Sequence, residues 1–263
     1  MTANDFPAGA SGPIDEANGV IFRPSGSWSA SVHELLRHLE SVGFAAAPRF
    51  LGTDHDGREM LTFIEGQIGH YPLPSAYWSD DALRGAGRLL RRFHDATVSL
   101  VSSPDARWQL APPDDLPIEV ICHNDFAPYN CVFRGSVPVA MIDFEMAAPG
   151  SRGWDLAYTA YRFVPLTSPD HWPQFGFPTG RSDEQRLVAL LDAYGLERCG
   201  GFIELVVRRV AAVRDLTAAM AAEPSPSGER VRREQHVESY DRDLAWLSSN
   251  ARRLRGAIGV GAL

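Results

Sequence analysis

The chain has 263 residues, 44% of them apolar and 22% charged, enough for one large domain or two small ones and ordinary for a soluble globular protein. Its net charge of −8 makes nucleic acid and anionic membranes poor partners, and no apolar run approaches the ~18–20 residues of a membrane-spanning helix. All 25 basic residues are arginine, so any phosphate contact falls to a guanidinium and no lysine amine is on hand as a base.

Residues 1–18, rich in Pro, Gly and Ala, read as a loose leader without the basic start and apolar run of a signal peptide. Cys122, Cys131 and Cys199 are odd in number and sit in mostly apolar surroundings, which fits reduced thiols in a cytoplasmic protein. GVIFRP (19–24) has strand composition and is stopped by Pro24. Ser31 with Glu34 forms a capping-box pattern, followed by Val32, Leu35, Leu36 and Leu39 at helical spacing and closed by Gly43. Strands are expected over 48–53 and 58–64, joined by the hairpin signal DHDG. Residues 64–74 lose periodicity and read as a linker.

Past the linker the pattern changes. Ser79 opens a long helix to about Val98, and a Pro- and Asp-rich loop follows over 102–116. Short strands are expected at 118–123, 130–133 and 137–144. Helices then dominate, at 154–163, 183–194, 200–222 and 230–253, with Ser182 and Gln185 as a capping box and Gly195 as a stop. Between them, 164–180 is a Pro- and aromatic-rich loop, long enough to suggest a functional role. The expected architecture is α+β and bilobal, with a small sheet-containing lobe (1–66) and a larger, mostly helical lobe (67–263).

The polar groups in ICHNDFAPYNCVF (121–133) stand inside an apolar frame, where they either tie a loop together or do chemistry. Asp125 lies two residues after His123 and five before Asn130, and Asp143 follows in MIDFE, directly after an apolar strand. Asn and Asp oxygens are hard ligands suited to Mg²⁺, and a carboxylate that binds no metal could take a proton from a substrate hydroxyl. Together these are the minimum equipment for phosphoryl transfer.

HNDFAPYN, then IDFE, then GWDLAY, in that order and spacing, resembles the aminoglycoside phosphotransferase and choline kinase superfamily, with its protein-kinase-like fold. The resemblance implies ATP and Mg²⁺ as cofactors. It implies Asp125 as catalytic base, Asn130 and Asp143 as metal ligands, and His123, Glu145 and Asp155 as supporting residues, Asp155 anchoring the loop from the next helix. MLTFIEG (60–66) resembles the hinge, which places Thr62, Phe63 and Ile64 against the nucleotide base. The family's usual strand lysine and its partner glutamate have no counterpart: Arg23 is the candidate phosphate contact, and Val32 falls where the glutamate belongs. AGASGP (8–13) is a weak match to the Gly-rich loop.

The expected activity is transfer of the γ-phosphate to a hydroxyl of a small molecule. The acidic chain favours an amine-bearing acceptor, such as an aminoglycoside, an amino-sugar or a choline-like molecule. His171 and Trp172 are candidate substrate contacts from the long loop, and Glu234, Glu238, Asp241 and Asp243, recurring at helical spacing, read either as a solvated face or as partners of a cation. Two other readings compete. A kinase-fold protein could bind nucleotide and transfer nothing. His123, Asp125 and His171 with Arg181 also match, superficially, the facial triad of an Fe(II)/2-oxoglutarate oxygenase, which requires a strand-rich barrel and leaves Asn130 and Asp143 without a role.

Overall fold

The computed structural model, which describes residues 14–100, 106–197 and 201–259, opens on an antiparallel hairpin. Strands β1 (Asp15–Ala17) and β2 (Val20–Arg23) are joined by Asn18 and Gly19, both at positive φ (53° and 76°), as an Asn-Gly turn requires. Residues 15–17 are therefore sheet rather than loose leader, while AGASGP lies outside the described residues.

Helix α1 (Ser29–Ser41) buries Val32, Leu35, Leu36 and Leu39 on one face, as their spacing demands. The capping box at Ser31 is not formed. The helix starts two residues earlier, where the Ser29 hydroxyl accepts from the Gly26 amide at 2.8 Å. Ser31 instead accepts from the amide of Arg107 at 2.8 Å, and Glu34 is exposed. Strands β3 (Phe50–Thr53) and β4 (Glu59–Thr62) complete a four-stranded sheet of order β1-β2-β4-β3, whose register sets Arg23 directly opposite Glu59.

The segment after β4 is more than a linker. Strand β5 (Gln67–Ile68) within it leaves the first sheet and joins a second, β5-β7-β8, with β7 (Cys131–Arg134) and β8 (Val137–Met141). Helix α2 (Asp80–Thr97) is capped by Ser79, which accepts from Ala82 N at 3.2 Å. Strand β6 (Val120–Cys122) pairs antiparallel with β9 (Ala148–Gly150), which lies beyond the strands expected from sequence. Helices α3 (Arg152–Phe163), α4 (Trp172–Phe175), α5 (Asp183–Tyr194) and α6 (Gly201–Ala222) follow. Residues 226–257 form two helices, α7 (Pro226–Arg233) and α8 (His236–Ala257), instead of the single one expected. Pro226 in the first turn and Ser225 as cap start α7, and Gln235 at φ 52° breaks the axis before α8.

One buried cluster runs through both regions, from Leu35, Leu36 and Leu61 to Leu83, Phe93, Phe133, Tyr161 and Val206. The Met141 amide donates to Ala46 O at 2.9 Å and His38 Nε2 lies 2.8 Å from Ala96 O, so the small sheet and the larger part are stitched together as well as packed. The architecture is the expected α+β one, with a small antiparallel sheet region and a larger helical part. Sheets of four, three and two strands leave no barrel for an oxygenase, and that reading falls. No helix among the described residues is long and apolar enough to cross a membrane.

The strap between the two sheets passes tightly over β7. Gly66, at φ 152°, lies so close that a Cβ there would sit 2.6 Å from the Phe133 carbonyl oxygen. Gly66→Ala is expected to lower stability by about 1–3 kcal/mol, from steric overlap added to backbone strain, read as a reduced midpoint in urea unfolding.

Candidate active site

The site hangs from the loop between β6 and β7. At its base Asp155, in the first turn of α3, is fully buried and faces three donors. Its Oδ2 accepts from the His123 amide at 2.6 Å and lies 3.0 Å from His94 Nε2, while its Oδ1 accepts from the Asn124 amide at 2.8 Å. These bonds hold Asn124 at φ 63° and turn the chain sharply into Asp125. Burial works to raise the Asp155 carboxyl, but its bond to His94, the charges of His94 and His123 and the His123 amide outweigh it and hold it below the ordinary carboxylate value. From α6, Arg209 donates to the Asn124 carbonyl at 2.6 Å and stacks over Trp154 and Tyr158, closing the back of the loop. The His123 ring, with Nε2 3.0 Å from Ile142 O, braces β8's exit against the loop and lines neither of the two cavities that flank the site.

Asp125 is cradled by donors. Tyr129 donates its hydroxyl to Asp125 Oδ1 at 2.8 Å, and the Asn130 amide group donates to Asp125 Oδ2 at 2.8 Å and to its carbonyl at 2.9 Å. Tyr158 stands 2.7 Å behind the Tyr129 hydroxyl. Burial raises the Asp125 carboxyl above its ordinary value, and Asp143 adds to the rise, against the lowering effect of Tyr129, His123 and Tyr158. With its NH₂ group turned to Asp125, Asn130 keeps its Oδ1 as an acceptor, the form a hard cation needs. Asp143 follows β8 in a left-handed conformation (φ 63°), and its side chain is 39% exposed.

The cation expected at Arg23 is there, with a partner that sequence spacing does not disclose. Arg23 Nε bonds Glu59 across the strand pair, its NH1 lies 2.9 Å from Asp143 Oδ1 and its NH2 2.9 Å from Glu145 Oε1. His33, one residue past Val32 on α1, meets the other oxygen of Glu59 at 2.6 Å. Burial works to lower the Arg23 pKa, but Asp143, Glu59 and Glu145 keep it raised, so the guanidinium stays charged.

Two cavities flank this cluster. The first, of about 510 Å³, has Arg23, Thr62, Phe63 and Ile64 on one wall and Tyr129, Asn130 and Asp143 on another. The Phe63 amide already donates to Gly19 O at 2.8 Å, so a base edge would meet the strap beyond it, at Ile64. The second, of about 550 Å³, is lined by Tyr71, Tyr161, Arg162, Tyr240, Arg242 and Asp243, among others. Tyr71 faces the second cavity while its neighbours His70 and Pro72 line the first, so the strap partitions the two.

Of the residues singled out in the sequence, Arg23, Asn130 and Asp143 thus meet at one cavity, Asp125 lies against Asn130, and Glu145 and Asp155 support them from behind. His171 and Trp172 do not line either cavity. His171 is buried with Nδ1 2.8 Å from Asp243, and Trp172 packs edge-on against Phe177. Three of the four acids expected to meet a cation are paired within the chain, and Glu238 is exposed. Asp243 accepts from Tyr161 and the Ser168 amide, Asp241 pairs with Arg214, and Glu234 with Arg233 and His236. Glu59, His33, Tyr129, Tyr158 and Arg162 are additions of the tertiary structure. Only Tyr129, inside HNDFAPYN, and Tyr158, at the end of GWDLAY, carried any local signal.

A family model described as the phosphotransferase enzyme family matches residues 103–196. Over 252 residues, 93% of this chain and 94% of the relative, the sequence is 34% identical to the trifolitoxin immunity protein of Rhizobium leguminosarum bv. trifolii. Among solved structures, a choline/ethanolamine kinase family protein from Mesorhizobium loti superposes with a TM-score of 0.59 at 15% identity, covering 97% of this chain and 91% of that one. The GDP complex of aminoglycoside 2'-phosphotransferase-IIIa superposes with a TM-score of 0.57 at 15% identity, covering 94% and 91%. At these identities the structural likeness speaks for the fold.

Replacing Asp155 with Asn would leave His94 and two buried amides facing a group that cannot accept from all of them. Asp155→Asn is expected to cost about 3–5 kcal/mol at neutral pH. Because the folded pKa is depressed, this advantage of the wild type is complete above the unfolded carboxylate value of about 3.9 and fades as pH falls through the lower folded value. Denaturant unfolding of both proteins from pH 7 down to pH 3 checks the size and the convergence.

Proposed function

The chain belongs to the phosphotransferase enzyme family, and from that premise we propose that it transfers the γ-phosphate of ATP to a hydroxyl of a small molecule. One observation carries the reading. A single cavity has a charged guanidinium and the strap residues Phe63 and Ile64 on one side, the oxygens of Asn130 and Asp143 on the other, and a desolvated carboxylate, Asp125, directly behind Asn130. Phosphoryl transfer asks for this kind of set, in which positioning and charge neutralisation do most of the catalysis.

In this reading the base enters along Thr62, Phe63 and Ile64, between the two sheets, and the phosphates run toward Arg23. The Asn130 and Asp143 oxygens fit a magnesium ion, which when bound neutralises phosphate charge. Arg23 then exchanges part of its contact with Asp143 for phosphate oxygen, while Glu59, held in turn by His33, keeps the guanidinium aimed. Asp125 accepts the acceptor's hydroxyl proton as its oxygen bonds to the γ-phosphorus and the bond to the β-phosphate oxygen breaks. Tyr129 and Asn130 hold that carboxylate in place by their donors. A reaction that consumes ATP belongs in the cytoplasm.

The relative's name, an immunity protein, favours a toxin as acceptor and modification as the means of protection. The nucleotide-binding reading without transfer draws on the same Arg23, whose contacts with Asp143 and Glu145 close the metal side of the cavity.

Asp125→Ala is expected to lower Mg-ATP turnover by about 10²–10⁴-fold, with nucleotide affinity retained. An unchanged rate with intact ATP binding would establish the binding-only reading. Tyr129→Phe is a finer probe. Its hydroxyl stabilises the charged carboxylate, so removing it raises the Asp125 pKa further, and the acidic limb of the kcat–pH profile is expected to move to higher pH.

A further inference from the structure

The second cavity is built for the opposite charge from the one the chain's composition suggests. Arg162, on α3, lines it, with its guanidinium carbon 5.2–5.8 Å from the ring centres of Tyr129, Tyr71, Tyr161 and Phe175. Its Nε is buried and has no hydrogen-bond partner. Among the described residues neither Arg162 nor Arg242, the second arginine of the wall, forms an ion pair with a carboxylate. The wall's own acids are engaged elsewhere, Asp243 by Tyr161, Ser168 and His171, and Glu234 by Arg233 and His236. Arg242 donates to His171 Nε2 at 3.2 Å, and ring faces soften a desolvated cation but do not replace a counter-ion, so Arg162 faces the cavity with no carboxylate in contact.

We propose that this cavity holds the acceptor and that Arg162, supported by Arg242, binds a carboxylate on it, making the acceptor a hydroxylated organic acid rather than an amine. The proposal rests on the phosphotransferase reading above. Tyr129 joins the two ends of the acceptor site: its ring lies under Arg162, and its hydroxyl bonds Asp125 at 2.8 Å. Asp125 does not itself line this cavity, and Tyr129 is the link to it. Burial raises the phenols of Tyr71 and Tyr240, which line it, and the Asp125 carboxylate adds to the rise in each while Arg162 opposes it. In this proposal a carboxylate seated on the guanidinium fork directs a hydroxyl a few bonds away past Tyr129 toward Asp125.

The test uses the full chain, ¹⁵N-labelled, with three small hydroxylated probes of matched size: glycerate, glycerol and ethanolamine. The Arg162 Nε–H resonance, assigned with Arg162→Lys and Arg162→Gln, is expected to shift on glycerate titration and to ignore glycerol and ethanolamine. Glycerate affinity is expected to fall about tenfold in Arg162→Gln and less in Arg162→Lys, which keeps the charge but not the fork. The wild-type titration stands even if Arg162→Gln fails to fold. A shift with ethanolamine, no shift with glycerate, or equal glycerate binding by wild type and Arg162→Gln overturns the proposal. Turnover of Mg-ATP that depends on Asp125 is measured separately. Turnover without a glycerate shift sinks the acid subsite alone, and a glycerate shift without turnover sinks the kinase reading.

Discussion

The amides of His123 and Asn124 both end on the buried carboxylate of Asp155, and His94 closes the same carboxylate from α2. Three donors from two elements converge on one anion with no water access, which makes the turn after β6 a rigid corner. Everything forward of that corner inherits its position: Asp125 one residue on, Tyr129 and Asn130 in the short helical turn that follows, then β7 and, through β7, the strap that divides the two cavities. The buried carboxylate of Asp155 thus places that of Asp125.

A second constraint is the distribution of charge around Arg23. In a chain without lysine, a guanidinium stands at the end of β2, and its fork is large enough to meet Glu59, Asp143 and Glu145 together. Three carboxylates around one cation leave local negative charge, and under the proposed reading a divalent cation and phosphate would complete it. Arg162, by contrast, is surrounded by rings rather than carboxylates. The strap thus divides two cavities with different linings, Arg23 and Asp143 in one and Arg162, Arg242 and Asp243 in the other.

Much of this was legible before any coordinates. The apolar spacing of Val32, Leu35, Leu36 and Leu39 is a property of helix geometry alone, and Ser79 and Ser182 cap as their positions predict. Misreadings fell where a short polar segment meets a distant partner. Asp15–Ala17 is a strand only because β2 lies beside it, and Ser31 serves Arg107 across the fold rather than its own helix. His171 looked like a pocket residue because aromatic loops often are, but Asp243, 72 residues later, claims it.

The sequence by itself determined the α+β division, the loop from His123 to Asn130 and the aspartate after β8, because turn chemistry, strand alternation and motif spacing act over a few residues. Only the tertiary structure decided the partner of Arg23, which is Glu59, 36 residues away, through the register of β2 against β4. It also decided the partners of Asp243 in the second cavity, which looks available along the chain and is bonded once α3 and the loop before α4 pack onto it. Local rules specify which groups a chain carries to a site. Which of those charges remain unpaired there depends on contacts between segments far apart in the chain, and folding alone brings these together.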